Sequence, residues 1–287
     1  MANDFDNSAL NSTVKELWDE KLEDARYAKG VIMNRVSNKS GIASKKGDII
    51  HVTINQRYTV GTIAADGSFT PQNYTPTTVD VTLNQWEQIA IRILDRAEAQ
   101  SFWNPDSKFP SDAGAAFAAR YDAQIAALHS SVGAGNSVGS ATGPAAFDKT
   151  LAQEAVLRLA STNIPLEELS WCLHPTAYYA GLLNEAQLTQ ADSMGVSKNV
   201  LTTGYVFPLL GFPVYLSTNI VETGTPAVKK NLLLHKSAIA IAWQKDVVID
   251  RGSTVGSGIA GQMVLAQSLY GQSVIRSDHF VVINSLA

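Results

Sequence analysis

Between residues 48 and 83, apolar and polar positions alternate in two runs. Ile50, Val52, Ile54, Tyr58 and Val60 are interleaved with His51, Thr53, Asn55, Arg57 and Thr59. Val79, Val81 and Leu83 are interleaved with Asp80 and Thr82. A period of two is the signature of strands with one apolar face. Asp66-Gly67, between the runs, is a favoured two-residue hairpin turn. Centring the hairpin there sets Ile50 opposite Leu83, Val52 opposite Val81 and Ile54 opposite Val79, so that one face of its base is apolar. An arm of about 15 residues at about 3.3 Å each reaches roughly 50 Å, further than a compact body of this size is wide. The apolar pattern thins toward the tip, and Pro71 and Pro76 interrupt the return arm as they would at an exposed edge. An isolated two-stranded hairpin is marginal in water. The spacing therefore predicts a projecting arm that needs a surface to lie on, and that surface could belong to another subunit.

Elsewhere the period is helical. Thr13 and Glu16 form a capping-box pattern ahead of Val14, Leu17, Trp18, Leu22, Ala25 and Ala28, and Gly30 reads as the stop. Trp86, Ile89, Ala90, Ile93, Leu94 and Ala97 predict a helix over 84–101. Ser111 reads as the N-cap of a second helix carrying Phe117, Tyr121, Ile125 and Leu128. The glycine-rich stretch from Ser131 to Pro144 reads as a domain boundary. A helix over 145–161, a strand over 169–173 and a helix with Tyr178, Tyr179, Leu182 and Leu183 follow. Residues 189–204 read as loop. Strands are predicted near 212–217, 231–235, 238–243 and 246–251, and within 262–270 and 272–284.

Composition adds one oddity. Of 287 residues, 45% are hydrophobic and only 17% charged, against about 25% charged in an average globular chain. The apolar fraction excludes global disorder, and no apolar stretch reaches the roughly 20 residues of a membrane span. Either much of the chain is core, or part of its surface is covered by partners. The net charge of −4 and the lack of a long basic run argue against tight nucleic-acid binding. The start of the chain is acidic and polar, unlike a signal peptide. The single cysteine, Cys172, sits in the apolar run Leu169–Leu173 and reads as a small buried hydrophobe.

Three strings resemble chemistry. Gly135-Asn136-Ser137-Val138-Gly139 matches a nucleophile elbow, with Asp250 and His279 in triad order, but an elbow needs a strand before the serine and a helix directly after it. Gly256-Ser257-Gly258-Ile259-Ala260-Gly261 matches a dinucleotide fingerprint, yet too little chain follows for the rest of that fold. The five histidines, His51, His129, His174, His235 and His279, are widely spaced and lack metal-ligand spacing. His174 and His235 each end an apolar strand. These patterns point to no enzyme, metal site or cofactor.

The order of segments resembles the major capsid (coat) proteins of tailed bacteriophages, which share the Hong-Kong-97-type capsid fold. The resemblance rests on Leu17-Trp18-Asp19-Glu20-Lys21-Leu22 to Val31 and on Gly47-Asp48-Ile49-Ile50-His51-Val52 with Val79 to Ser101. It continues through Gly211-Phe212-Pro213-Val214-Tyr215-Leu216-Ser217 to Ile220, and Asn231-Leu232-Leu233-Leu234-His235 to Arg251. It implies an α+β fold with an N-terminal arm at 1–47 and an extended β-hairpin loop at 48–83. A peripheral domain with a spine helix would take 84–144 and 246–287, and an axial α/β domain 145–245. Inter-subunit contacts would then come from Ile50, Val52, Ile54, Tyr58, Asp66, Gly67, Val79, Val81 and Leu83 of the loop, and from Leu17, Trp18 and Leu22 of the arm. The implied function is structural: self-assembly of pentamers and hexamers into an icosahedral virion capsid in the bacterial host cytoplasm. The shell would enclose double-stranded DNA without sequence-specific binding, and no membrane would take part. Because fewer than fifteen residues precede the first helix, a scaffolding protein would be separate, as would a portal. An encapsulin-like nanocompartment shell and, from another class, a serine hydrolase using Ser137 are the alternative readings.

Overall fold

The computed structural model describes residues 30–43, 47–96, 105–182, 208–254 and 259–286. The expected helix over 13–29, with Leu17, Trp18 and Leu22, and the expected loop over 189–204 lie outside them.

Among the described residues, two large sheets and two long helices build the body, with a short helix at Ser40–Ala43. The strands are β1 (Ser37–Asn38), β2 (Ile49–Ile54), β3 (Thr77–Thr82), β4 (Gln85–Leu94), β5 (Ser137–Val138), β6 (Leu169–Leu173), β7 (Val214–Leu216), β8 (Glu222–Thr223), β9 (Val228–His235), β10 (Ile239–Ser253), β11 (Gly261–Val274) and β12 (Phe280–Leu286). The helices are α1 (Pro105–Ala127) and α2 (Lys149–Ser161), and a single π-helical turn covers Ala177–Gly181. One sheet runs β1-β10-β11-β4. The other runs β5-β12-β9-β6-β7, with β8 on β9. The pair β2-β3 stands apart.

The second sheet is buried on both faces. All five residues of Leu169-Ser170-Trp171-Cys172-Leu173 are buried, as a continuous apolar run in a central strand requires. Trp171, Leu173, Leu233 and Ile283 pack with Ala152, Ala155 and Leu159 of α2. Asp148 caps that helix by accepting from the Leu151 amide at 2.8 Å. Cys172, Leu232 and Leu234 point the other way, into a core shared with α1 and the four-stranded sheet. Phe109, Ala113, Phe117, Tyr121 and Ile125 form the buried stripe of α1, four residues apart as one helix face demands.

Several expectations are corrected. Most of the described part of 84–101 is not a helix: Gln85–Leu94 is a strand paired along its whole length with Gly261–Tyr270, and helix is taken up only at Asp95 and Arg96. Ile89 and Ile93 satisfy both periods, but Ile91 also faces the core, and only a period of two puts all three isoleucines on one side. β-Branched residues favour that choice. Helix α1 begins six residues before Ser111. Pro105 occupies its first position, where a missing amide is harmless, and Pro110 lies within it, exposed.

The hairpin register also differs. Ile50 faces Val81, Val52 faces Val79 and Ile54 faces Thr77. The turn is a three-residue loop, closed by the Gly67 amide on the Ala64 carbonyl at 2.9 Å and by the Ala64 amide on the Ser68 carbonyl at 3.0 Å. Gly67 takes φ +82° there, the left-handed position that glycine adopts without steric cost. The base shift is two residues, so every side chain keeps its face.

The glycine-rich stretch is not a free boundary. Its Ser137 and Val138 add a parallel strand to β12, and the Asn136 amide group donates to the carbonyls of Asp278 and Phe280. The strands expected at 238–243 and 246–251 are one strand, β10, with irregularities between Trp243 and Lys245 and between Lys245 and Val248. The sequence-derived border at 245/246 therefore falls inside β10. Likewise β12, assigned from sequence to the peripheral segment, lies in the sheet of the axial one.

Candidate functional site

The hairpin holds the surfaces singled out from sequence, and its two halves differ. At the base, Ile50, Val81 and Leu83 pack with Ala43, Ala240 and Ala242 of this same chain. Val52 is partly buried against that cluster. The fit is close: a Cβ on Gly271 would stand 2.0 Å from the Thr82 carbonyl oxygen, so only glycine lets β11 pass under the end of β3. Three of the nine loop residues expected to meet a neighbour, Ile50, Val81 and Leu83, are thus buried within their own chain.

Beyond Ile54 the backbone ladder stops, and residues 55–76 run as an exposed arm. Two glutamine side chains replace the ladder. The Thr59 amide donates to Gln72 Oε1 at 3.2 Å, and Gln72 Nε2 donates back to the Thr59 carbonyl. Gln56 Nε2 donates to the Asn73 carbonyl at 2.7 Å, while the Thr75 amide donates to Gln56 Oε1 at 2.6 Å. Pro71 and Pro76 have no amide to contribute, and a carboxamide carries both a donor and an acceptor. At the tip, Asp66 Oδ1 accepts from the Ser68 hydroxyl at 2.7 Å and its amide at 3.0 Å. These two bonds, the hydroxyl's foremost, hold the carboxyl below its usual range.

The arm also exposes apolar side chains. Val60 is 100% exposed, Phe69 71% and Ile63 70%, with Tyr58 and Tyr74 also exposed. Of these, Val60, Ile63, Phe69 and Tyr74 were not among the expected contact residues. Aperiodic apolar residues in a proline- and glycine-punctuated segment are the signal that could have found them. Of the expected residues, Tyr58, Asp66 and Gly67 sit on the exposed arm, Val52, Ile54 and Val79 are half-buried at its root, and Leu17, Trp18 and Leu22 lie outside the described residues. The outward face of the four-stranded sheet is mixed. It carries Trp86, 73% exposed, with Leu94, Met263 and Val248, set among exposed Gln88, Arg92 and Asp250. The opposite face, with Ile89, Ile91 and Ile93, covers the core.

The catalytic-looking strings do not converge. Ser137 lies in a two-residue edge strand followed by a bend rather than a helix, and its hydroxyl accepts from Asn284 at 3.1 Å. His279 instead bonds Ser237 at 2.9 Å, and Ser237 also bonds His235 at 2.8 Å. Both histidines border a polar cavity of about 520 Å³ between the arm root at Gln56 and Arg57 and the body at Thr162 and Arg276. Burial lowers the His279 pKa, as it does that of His174. His174 contacts Thr176 at 2.8 Å, and His51 contacts Asp80 across the hairpin at 2.6 Å. Gly256, Ser257 and Gly258 of the glycine string lie outside the described residues, and its Gly261 opens β11, a strand antiparallel to β10 rather than a helix. Burial pushes the Cys172 thiol up to about 12, so it stays protonated at neutral pH. Among the described residues no cluster of His, Cys, Asp or Glu could hold a metal ion, and no helix is long and apolar enough to cross a membrane.

No family model matches the chain, and no curated protein matches it. Solved structures do. A structure from Mycobacterium phage Che8 superposes with a TM-score of 0.78 at 24% identity, covering 99% of this chain and 98% of that one. The capsid structure of the cyanophage P-SCSP1u gives 0.78 at 16% identity, over 99% and 96%. The head structure of Helicobacter pylori bacteriophage KHP40 gives 0.75 at 12% identity, over 99% of each. The chain has the fold of phage capsid and head structures, an α+β architecture shared over nearly its full length.

Proposed function

We propose that this chain is a structural shell subunit, the major capsid protein of a tailed double-stranded DNA phage. It self-assembles through pentamers and hexamers into an icosahedral head, in the virion, after assembly in the bacterial host cytoplasm. The observation that carries the reading is the near-full-length likeness to phage capsid and head structures. The arm supports it, because Val60, Ile63 and Phe69 are exposed together on a segment that leaves the body, as a docking element would.

In this reading residues 1–47 form the N-terminal arm and 48–83 the extended loop. Residues 84–144 make the peripheral domain with α1 as its spine and 145–245 the axial domain, while 246–287 serve both: the rest of β10 and β11 lie in the peripheral sheet and β12 in the axial one. The loop's Tyr58, Val60, Ile63 and Phe69 dock on the outward sheet face of a neighbour, around Trp86 and Met263. Such a contact joins different patches on the two copies, so it propagates into rings and shells rather than closing as a dimer. Buried apolar area contributes about 25 cal/mol per Å² before association costs, and many repeated contacts hold what one would not. A separate scaffolding protein and a portal complete the head. The shell encloses DNA without gripping it, consistent with a net charge of −4, and the chain acts as architecture rather than as a catalyst. The test is negative-stain microscopy of the purified protein. Closed particles or capsomers are expected, and a monomer under all conditions would sink the reading.

A further inference from the structure

Beneath the first described residues lies a cleft of about 180 Å³ lined by Asn34, Arg35, Glu168, Ser170, Pro213 and Lys236. Two of its polar atoms, Arg35 Nε and Ser170 Oγ, are buried and have no hydrogen-bond partner among the described residues. Ser170 is only 3% exposed. A buried hydroxyl and a buried guanidinium N–H without acceptors each cost free energy, more so for the charged group. The guanidinium face rests on the Tyr215 ring, 4.1 Å from its centroid, which leaves its edge for a ligand. Lys236 adds a second positive charge and Glu168, 3.5 Å from it, removes one. The cleft therefore carries a net charge of about +1, matched to a single carboxylate rather than to a dianion. An arginine edge takes a carboxylate side-on through two parallel N–H bonds, and Ser170 supplies a third donor.

We propose that this cleft binds a carboxylate side chain from the acidic stretch Glu16, Asp19, Glu20, Glu23 and Asp24 of the same chain. Residues 1–29 hold seven acidic against four basic residues, so their charge complements the cleft. The tether is short: five residues separate Asp24 from Gly30, an extended span of about 20 Å at most. A ligand on so short a linker acts at an effective concentration near the millimolar range. The site would pin the N-terminal segment to β6.

The test is hydrogen exchange on the unassembled full-length subunit, so its outcome does not depend on whether shells form. Ser170→Ala and Arg35→Gln should each speed exchange over residues 16–24, by about tenfold for the charged partner. One of the five acid-to-amide variants should speed it equally, with no further gain when combined with Arg35→Gln. Sodium acetate, against chloride at equal ionic strength, should also speed it. Unchanged exchange in both cleft variants would overturn the proposal. So would a more stable Ser170→Ala subunit, the result expected when a hydroxyl without a partner is simply removed. Additivity across all five acids, or coupling that appears only in assembled particles, would overturn it as well.

Discussion

The two halves of one hairpin use apolar residues in opposite ways. At the base, Ile50, Val81 and Leu83 are each less than 7% exposed and belong to this chain's own core. In the arm, Val60, Ile63 and Phe69 are each at least 70% exposed. The base is fastened by a backbone ladder and by a glycine that lets two strands touch. The arm is tied by carboxamides that solvent can reach. Side chains of similar hydrophobicity thus do different work according to what stands opposite them. The base contributes to folding, while the arm leaves apolar side chains uncovered by its own chain, the surface that the proposed function uses for assembly. The low charge fraction goes with a core on both faces of one sheet and with apolar side chains left exposed on the arm.

That contrast breaks most sharply at the base. Val81→Asp would place an unpaired charge among Ile50, Ala240 and Ala242, and the isolated subunit should lose about 3–5 kcal/mol in urea unfolding. Gly271→Ala forces a Cβ against the Thr82 carbonyl and should cost about 1–3 kcal/mol by overpacking, with faster hydrogen exchange in β2 and β3. The combined arm variant Val60→Ser, Ile63→Ser and Phe69→Ser should move subunit stability by no more than about 0.5 kcal/mol while preventing shell formation. Cys172 gives an internal reporter. With its thiol held at about 12 by burial, labelling should follow unfolding, so base variants should label faster and the arm variant at the wild-type rate. The smallest effect is expected for Gln72→Ala, which should speed exchange of the Thr59 amide by a factor that corresponds to about 1 kcal/mol or less. An arm variant that unfolds as readily as a base variant would erase the distinction.

How far the fold was legible in the sequence follows from which interactions decide each element. Leu169–Leu173 read as a strand and is one, because an apolar run interrupted only by Ser170 and bounded by polar residues leaves little choice. The α1 stripe from Phe117 to Ile125 was equally plain. Gln85–Leu94 was misread because Ile89 and Ile93 fit a helix as well as a strand, and the decision came from β11, nearly 170 residues away. One residue of the two-residue error in the hairpin lay in the turn, where Ala65 joins Asp66 and Gly67 in the loop, and the other arises along the arm between Ala64–Ser68 and Thr59–Gln72, details that the Asp-Gly pair does not reveal. Of the candidate surface, the alternating base was visible, but its partner was taken for a neighbour when it is Ala240 and Ala242 of the same chain. The exposed arm residues were passed over because a docking surface has no period of its own. Its shape complements something outside the sequence being read.

The central claim is that the arm assembles and the base folds. Electron microscopy of the wild-type chain and the Val60, Ile63 and Phe69 serine variant, under the same assembly conditions, tests it most directly. Closed shells for the wild type and dispersed, normally folded subunits for the variant are the predicted result; normal shells from the variant would contradict it.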